Sequence, residues 1–288
     1  MTGTSTPEGA NAAQIAYWND RAAVTWTTMQ ERLDALFAPI TAVALQAAAP
    51  TPGEHVIDVG CGCGGTLIEL ARLVGPNGRA IGLDVSGPMS ARARERLAQA
   101  GLTNAQVITG DASAHGLPAG QTDLLFSRFG VMFFDDPVAA FTSLRKPLRP
   151  GGRLLCAVWR PFADNPWFRV PMEAARPLIP PQPPVDPHAP GPFAFADGDR
   201  TLGILTSAGW QGAALVRHDV PMRIAAAGAV EEATDFALTM GPLGRLLREM
   251  PADAAVPVRE AVRQALQPYD SPDGIILTGS IWLVSARA

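Results

Sequence analysis

Lysine is almost missing from this chain. Of 23 basic residues among 288, only Lys146 is a lysine. Charged residues make up 17%, against roughly a quarter in ordinary globular domains. Acids outnumber bases slightly, for a formal charge of −4, and no basic block stands out. A nucleic-acid ligand is gripped by neutralising its phosphates, which leaves a cationic footprint absent here. No nucleic-acid partner is expected. Cysteine is scarce too: Cys61, Cys63 and Cys156 are too few for a disulfide framework, so reduced thiols are expected. No apolar run reaches the roughly eighteen residues of a membrane span. The first residues lack the basic and apolar regions of a secretory signal. The expected compartment is the cytoplasm.

Hydrophobic residues supply 47% of the chain, enough at this length for one large domain or two small ones. Residues 1–10 read as disordered. From Asn11 to Ala49 the pattern is helical, with Pro39 expected to kink or break it. Short apolar runs then alternate with helical stretches. Strands are expected at His55–Val59, Ala80–Leu83, Gln106–Thr109, Asp123–Phe126 and Gly152–Trp159. Helices are expected at Thr66–Leu73, Pro88–Ala100 and Val138–Leu148, the last capped by Asp136 with Pro137 at its first position. Such alternation implies a doubly wound parallel α/β sheet with helices on both faces.

Between Pro177 and Pro192 a proline cluster interrupts the pattern, with Trp167, Phe168, Phe193 and Phe195 at its margins. A long irregular insertion with aromatic edges reads as a lid. A helix near 199–208, a strand at Ala213–Val220, two helices in 228–267 broken by Pro251 and Pro257, and a closing strand Ile275–Ala286 complete the outline. The expected division is a helical cap (1–50), a cofactor-binding core (51–160), a proline-rich lid (161–198), further core (199–220), a helical insertion (221–274) and a final strand (275–288).

The most informative segment is Val56-Ile-Asp-Val-Gly60-Cys-Gly62-Cys-Gly64-Gly65. It follows one strand and opens a helix, so it lies at the carboxyl edge of the sheet, where such folds bind ligands. Its glycines permit tight turning and close backbone approach. Gly60, Gly62 and Gly65 satisfy the spacing of a dinucleotide loop. Asp58, two residues earlier, would repel a pyrophosphate and suits a cation instead, such as the ammonium and sulfonium of S-adenosylmethionine. Asp84, at the end of the second strand, suits ribose hydroxyls or a helix cap. Asp111, in Gly110-Asp111-Ala112, suits an adenine amino group or, again, a cap.

Taken together, these motifs resemble those of class I S-adenosylmethionine-dependent methyltransferases. The similarity is to the small-molecule branch typified by ubiquinone/menaquinone-biosynthesis methyltransferases. It rests on the glycine segment, on Gly82-Leu-Asp84 with Val85, Ser86 and Met89, and on Gly110-Asp-Ala112. It extends through Asp123-Leu-Leu-Phe-Ser-Arg-Phe-Gly-Val-Met-Phe-Phe134 and Leu148-Arg-Pro-Gly-Gly-Arg-Leu154. The resemblance implies a Rossmann-like sheet of seven strands, the last antiparallel. It implies that Gly60, Cys61, Gly62 and Gly64 face the methionine part of the cofactor and that Asp84 holds the ribose. Asp111 and Ala112 would meet the adenine, with Val85 and Met89 sandwiching it. Ser127 and Arg128 would lie near the methyl donor. Trp26, with Tyr17-Trp18-Asn19, matches loosely a segment that closes over the cofactor; plain helix packing accounts for these tryptophans equally well.

Methyl transfer from a sulfonium is an in-line displacement, so the protein mainly aligns the reactants. A base is needed only where the acceptor must lose a proton. His188 and His218 are the candidates, both more readily structural, as are His55 and His115. Phe129, Met132, Trp167, Phe168, Phe193 and Phe195 are expected to line an apolar pocket for an aromatic or lipophilic small acceptor. No metal is expected, because Cys61 and Cys63 lack two further ligands. A homodimer is compatible with these features. The competing readings are an NAD(P)-dependent oxidoreductase, a methyltransferase acting on RNA or protein, and a cofactor-binding protein without catalysis.

Overall fold

A computed structural model describes residues 11–182, 186–248, 250–251 and 255–288. The opening stretch 1–10 and part of the proline cluster lie outside the described residues. Three helices come first: α1 (Ala12–Asn19), α2 (Arg21–Thr28) and α3 (Gln30–Ala48). The expected break at Pro39 does not occur, because α3 runs through it. Proline there costs about 3 kcal/mol. Burial of Leu33, Leu36, Phe37, Ile40 and Ala44 along one face of α3 offsets that cost. The breaks fall instead at Asp20 and Met29.

The α/β alternation follows as β1 (His55–Val59), α4 (Gly65–Val74), β2 (Arg79–Asp84), α5 (Gly87–Gln99), β3 (Ala105–Thr109), β4 (Thr122–Arg128), α6 (Pro137–Arg145) and β5 (Leu148–Trp159). Asp136 caps α6 as expected, its Oδ1 accepting from Ala139 N at 2.9 Å. The helix ends three residues short of Leu148, which already belongs to β5. Pro150-Gly-Gly is therefore not a turn before that strand. It lies inside β5, where the register against β4 shifts between Thr122 and Leu124 and Gly151 takes φ +80°. That irregularity absorbs the proline, which cannot donate to a ladder.

Later elements are α7 (Pro166–Ala175), α8 (Gly198–Ser207), β6 (Gln211–Ala225), α9 (Val230–Thr239), α10 (Gly241–Leu247), α11 (Ala255–Leu266), the two-residue β7 (Asp270–Ser271) and β8 (Gly274–Arg287). Among the described residues, 228–267 thus hold three α-helices, not two. One break lies at Gly241, φ +70°. Pro257 breaks nothing, because it sits in the first turn of α11, where a missing N–H is harmless.

The sheet order is β3-β2-β1-β4-β5-β8-β6, with β7 pairing antiparallel to β8 at its side. Strands β1 to β5 pair in parallel, and the last strand of the chain runs antiparallel. This is the Rossmann-like α/β architecture expected, seven strands along the main path. β4 is buried on both faces from Thr122 to Ser127, as a covered central parallel strand must be. The order reverses between β1 and β4, and the carboxyl ends of these strands open the crevice in which such sheets bind ligands.

By internal contacts the chain divides into two units. The first comprises 1–159, 188–217 and 282–288; the second comprises 160–187 and 218–281. The first holds β1 to β5 and the glycine loop. The second is largely helical, with α7, α9, α10 and α11 packed together. Buried Arg160 ties it with bonds to Asp219 (2.7 Å) and Asp164 (2.6 Å). Among the described residues no helix is long and apolar enough to cross a membrane.

Candidate active site

The glycine loop is held from three sides. Gly60 N and Cys61 N donate to Leu83 O at the end of β2, at 2.8 and 3.1 Å. Gly60 (φ +70°) presses against Gly130, and an alanine Cβ at Gly60 would stand 2.5 Å from Gly130 Cα. Ser127 completes this seam, donating to Val59 O at 2.7 Å and accepting from Gly130 N at 3.1 Å. Its hydroxyl is fully buried and spent on these bonds. In the folded chain Ser127 fastens β4 to β1 through these bonds.

The third support comes from residues the sequence did not single out. Arg96 on α5 donates to Cys63 O at 2.6 Å and to Asp34 on α3 at 2.7 Å. Gln30 donates to the same Asp34 oxygen at 2.6 Å. Asp34 lies over Gly65, the first residue of α4, where an added Cβ would meet Asp34 Oδ1 at 2.5 Å. Only a folded α3 brings this acid to the loop, and its spacing carries no motif. Cys61 is buried against Gly82, and Cys63 is half-buried with its Sγ toward Trp26 O.

Gly62 differs from its neighbours. Its φ is +54°, yet nothing lies within 4 Å of the place a Cβ would occupy. Its amide donates to Asp84 Oδ2 at 2.7 Å, and Ser86 N donates to Asp84 Oδ1 at 2.8 Å. Asp84 is therefore not the cap of α5. Ser86 is, its Oγ accepting from Met89 N at 3.4 Å. Each carboxylate oxygen of Asp84 keeps one lone pair uncommitted by these bonds. Burial raises its pKa to about 6 against the two amide bonds.

Asp58 is fully buried in β1. Its Oδ2 accepts from Thr66 Oγ1 at 2.6 Å, while Oδ1 has no partner. Burial pushes its pKa up to about 7, opposed by the Thr66 bond and the charge of Arg128. Arg128 ends β4. It donates to Thr41 Oγ1 at 2.7 Å, lies 5.3 Å from the Phe37 ring centroid, and has a buried Nε without a partner.

Asp111 is more committed than expected. Its Oδ1 accepts from Ser113 N and Ser113 Oγ, both at 2.8 Å, and its Oδ2 from Asn11 Nδ2 at 2.8 Å. It caps the turn after β3. Gly110 N donates to Asp84 O at 2.9 Å, and Ala112 and Met89 are buried. The N-terminal segment reaches the same edge. Asn11 and Asp135 exchange bonds at 2.7 Å, so Asp135 binds this segment instead of capping α6. Asn19 donates to Val85 O and accepts from Gly87 N, both at 2.9 Å. Trp18 packs edge-on against Trp26 at 5.7 Å and Phe133 at 5.0 Å.

The expected pocket aromatics are distributed over both units. Phe129 and Met132 are buried just after β4. Phe129 has φ +71°, rare for a residue with a side chain, and stacks on Trp159 at 4.3 Å. Phe195 belongs with Phe141 of α6, 6.0 Å away, and so to helix packing; Phe193 is half-buried two residues before it. Trp167 and Phe168 lie on α7 of the second unit, 4.1 Å apart, with Trp167 6.5 Å from Phe236. The base candidates are also scattered. His188 is exposed in the irregular stretch and His218 is half-buried within β6. His115 is exposed beside Gly110, and His55 stands at the opposite, amino end of β1. Among the described residues no group of three or more His, Cys, Asp or Glu could hold a metal ion.

Comparison with known proteins agrees with this arrangement. Residues 56–152, from β1 into β5, match a family described as a methyltransferase domain. Residues 56–152 thus resemble a methyltransferase domain, and they lie on a Rossmann-like sheet. It is 34% identical over 118 residues to nocamycin O-methyltransferase of Saccharothrix syringae, a match covering 41% of this chain and 42% of that protein. It is 34% identical over 104 residues to the demethylmenaquinone methyltransferase of Listeria monocytogenes, covering 36% and 44%. The matched stretch spans less than half the length of either relative. A solved putative methyltransferase from Bacillus halodurans shares the fold, with a TM-score of 0.54 at 17% identity, over 86% of this chain and 97% of that one.

Proposed function

We propose that this protein transfers a methyl group from S-adenosylmethionine to a small aromatic or lipophilic acceptor in the cytoplasm. The observation that carries the reading is the open, left-handed Gly62, braced by Asp84 at the topological switch of the sheet. It leaves a cradle beside a carboxylate with acceptor capacity to spare, as a ribose diol requires. The orphaned Asp58 Oδ1 fits as well, since a buried carboxylate oxygen with no donor calls for positive charge. When bound, the cofactor supplies a methyl group already activated by its sulfonium.

The residues of the chain bind and orient. Asp84 would hold the ribose and Asp58 would offset positive charge from beneath the loop. Val85 and Met89 would flank the adenine, with Gly110, Asp111 and Ala112 at its edge. Gly60, Cys61 and Gly64 shape the turn. Trp26, stacked with Phe37 at 6.3 Å, would help exclude water from the reacting pair. No histidine is assigned a proton to carry, so the acceptor is expected to arrive with its nucleophile ready or to lose its proton to solvent. The roles of 161–198 and 221–274 in acceptor selection belong to the same proposal.

Charge argues against the oxidoreductase reading. A dinucleotide places its pyrophosphate at the start of the helix after the glycine loop. Here Asp34, Asp58 and Asp84 all crowd that place. The small-molecule names of both relatives, with no cationic block in the sequence, argue against an RNA acceptor. Isothermal titration against S-adenosylhomocysteine and NADH tests the reading. Micromolar binding of the nucleoside thioether and none of NADH is expected; binding of NADH alone overturns it.

A further inference from the structure

Arg128 is a cation placed where little answers it. Its guanidinium has a single hydrogen bond, to the neutral hydroxyl of Thr41. It joins no ion pair among the described residues, and its Nε is buried without a partner. Arg128 is half-buried, and a guanidinium drawn partly out of water favours an anion as its partner. The nearby acids do not make that contact. Asp34 is engaged by Arg96 and Gln30, and Asp58 by Thr66.

The surroundings say what kind of anion would suit. Arg128 is the last residue of β4, at the carboxyl edge. Its guanidinium lies over the Phe37 ring. Phe37 meets Phe129 edge-on at 5.4 Å, and Phe129 stacks on Trp159 at 4.3 Å and 12°. Phe129 holds this stack through a left-handed backbone, a strain that persists only where packing enforces it. One planar fork with unused donors thus stands beside a buried cluster of flat rings. A guanidinium matches a carboxylate through two parallel bonds, and the rings match a flat hydrocarbon.

We propose that Arg128 is the receptor for a carboxylate on a ligand of this site, with the Phe37, Phe129 and Trp159 rings as its apolar flank. This rests on the methyltransferase reading, which offers two sources: an acid group on an aromatic acceptor or the α-carboxylate of the cofactor. The flat rings favour the aromatic acid.

Paired probes test it by isothermal titration of the full chain. 5′-Methylthioadenosine is S-adenosylhomocysteine without the carbons that carry its ammonium and carboxylate, so only the part of its preference that Arg128→Met removes is read as the carboxylate's, and 2-naphthamide is 2-naphthoate without its charge. The naphthyl pair is titrated into protein saturated with 5′-methylthioadenosine. Wild type is expected to prefer the carboxylate member of at least one pair by tenfold or more. Arg128→Met is expected to abolish that preference while leaving the carboxylate-free member unchanged, and Arg128→Lys to retain part of it. Loss within the naphthyl pair assigns the acceptor; loss within the nucleoside pair assigns the cofactor. Equal affinity within both pairs in wild type overturns the proposal, and that comparison needs no variant. So does an Arg128→Met protein that loses both members of a pair equally. If the methyltransferase reading itself fails, wild type binds neither nucleoside, whatever it does with naphthoate.

Discussion

Gly60 and Gly62 stand in one loop with similar left-handed backbones, yet alanine is expected to harm them in different ways. Either substitution incurs the cost of a Cβ in the left-handed region, about 1–2 kcal/mol. At Gly62 that is the whole cost to the fold, because its Cβ would enter open space. At Gly60 the Cβ would stand 2.5 Å from Gly130 Cα, a backbone atom that cannot rotate away. Gly130 is equally boxed in, its own Cβ direction blocked by Val59 O. Forcing this seam apart adds about 1–3 kcal/mol of overpacking. Urea unfolding followed by tryptophan fluorescence should therefore rank wild type above Gly62→Ala, and Gly62→Ala above Gly60→Ala. Titration with S-adenosylhomocysteine should show the complementary result: Gly62→Ala, still folded, loses tenfold or more in affinity because its methyl occupies the cradle. If Gly60→Ala is no less stable than Gly62→Ala, the close approach to Gly130 does not support the fold. If Gly62→Ala binds like wild type, the open space beside Gly62 is not the cofactor's.

Two further predictions concern the buried acids. Asp84→Ala strands the amides of Gly62 and Ser86, so it should cost about 1–3 kcal/mol for each amide left dry, besides weakening S-adenosylhomocysteine; a variant of native stability would show that Asp84 does not brace the loop. Burial raises the folded pKa of Asp58 from the ordinary aspartate value of 3.8 to about 7, so the folded state binds the extra proton between those values. Its contribution to stability is then greatest in acid and is lost as pH rises from about 4 to 7, at up to about 1.4 kcal/mol per pH unit. The stability difference between wild type and Asp58→Asn, measured in urea from pH 4.5 to 8, should move against wild type as pH rises; a flat difference would refute the raised pKa.

Much of the core was legible because its signals are local. The period of apolar residues marks β1 to β5 and the helices between them, and Pro137 after Asp136 marks the start of α6. Proline misled where tertiary packing outweighed it. At Pro39 a buried face holds α3 together, at Pro257 the ring sits in a first turn, and at Pro150 a bulge takes it into β5. In the site, Asp84 was found because it ends a strand beside a glycine loop. Asp34, Arg96 and Asn11 were not, because hydrogen bonds across 60 to 100 residues leave no periodic trace.

The sequence by itself determined that this chain forms a parallel α/β sheet with a glycine loop flanked by acids, since strand period, turn glycines and strand-end carboxylates are all written within short windows. Only the tertiary structure decided which groups are already spent and which remain open. Ser127 and Asp111 turned out to be engaged, and Gly62 and Arg128 to have capacity left. Hydrogen-bond satisfaction and burial depend on what the folded chain brings from elsewhere, and no short window of residues contains that.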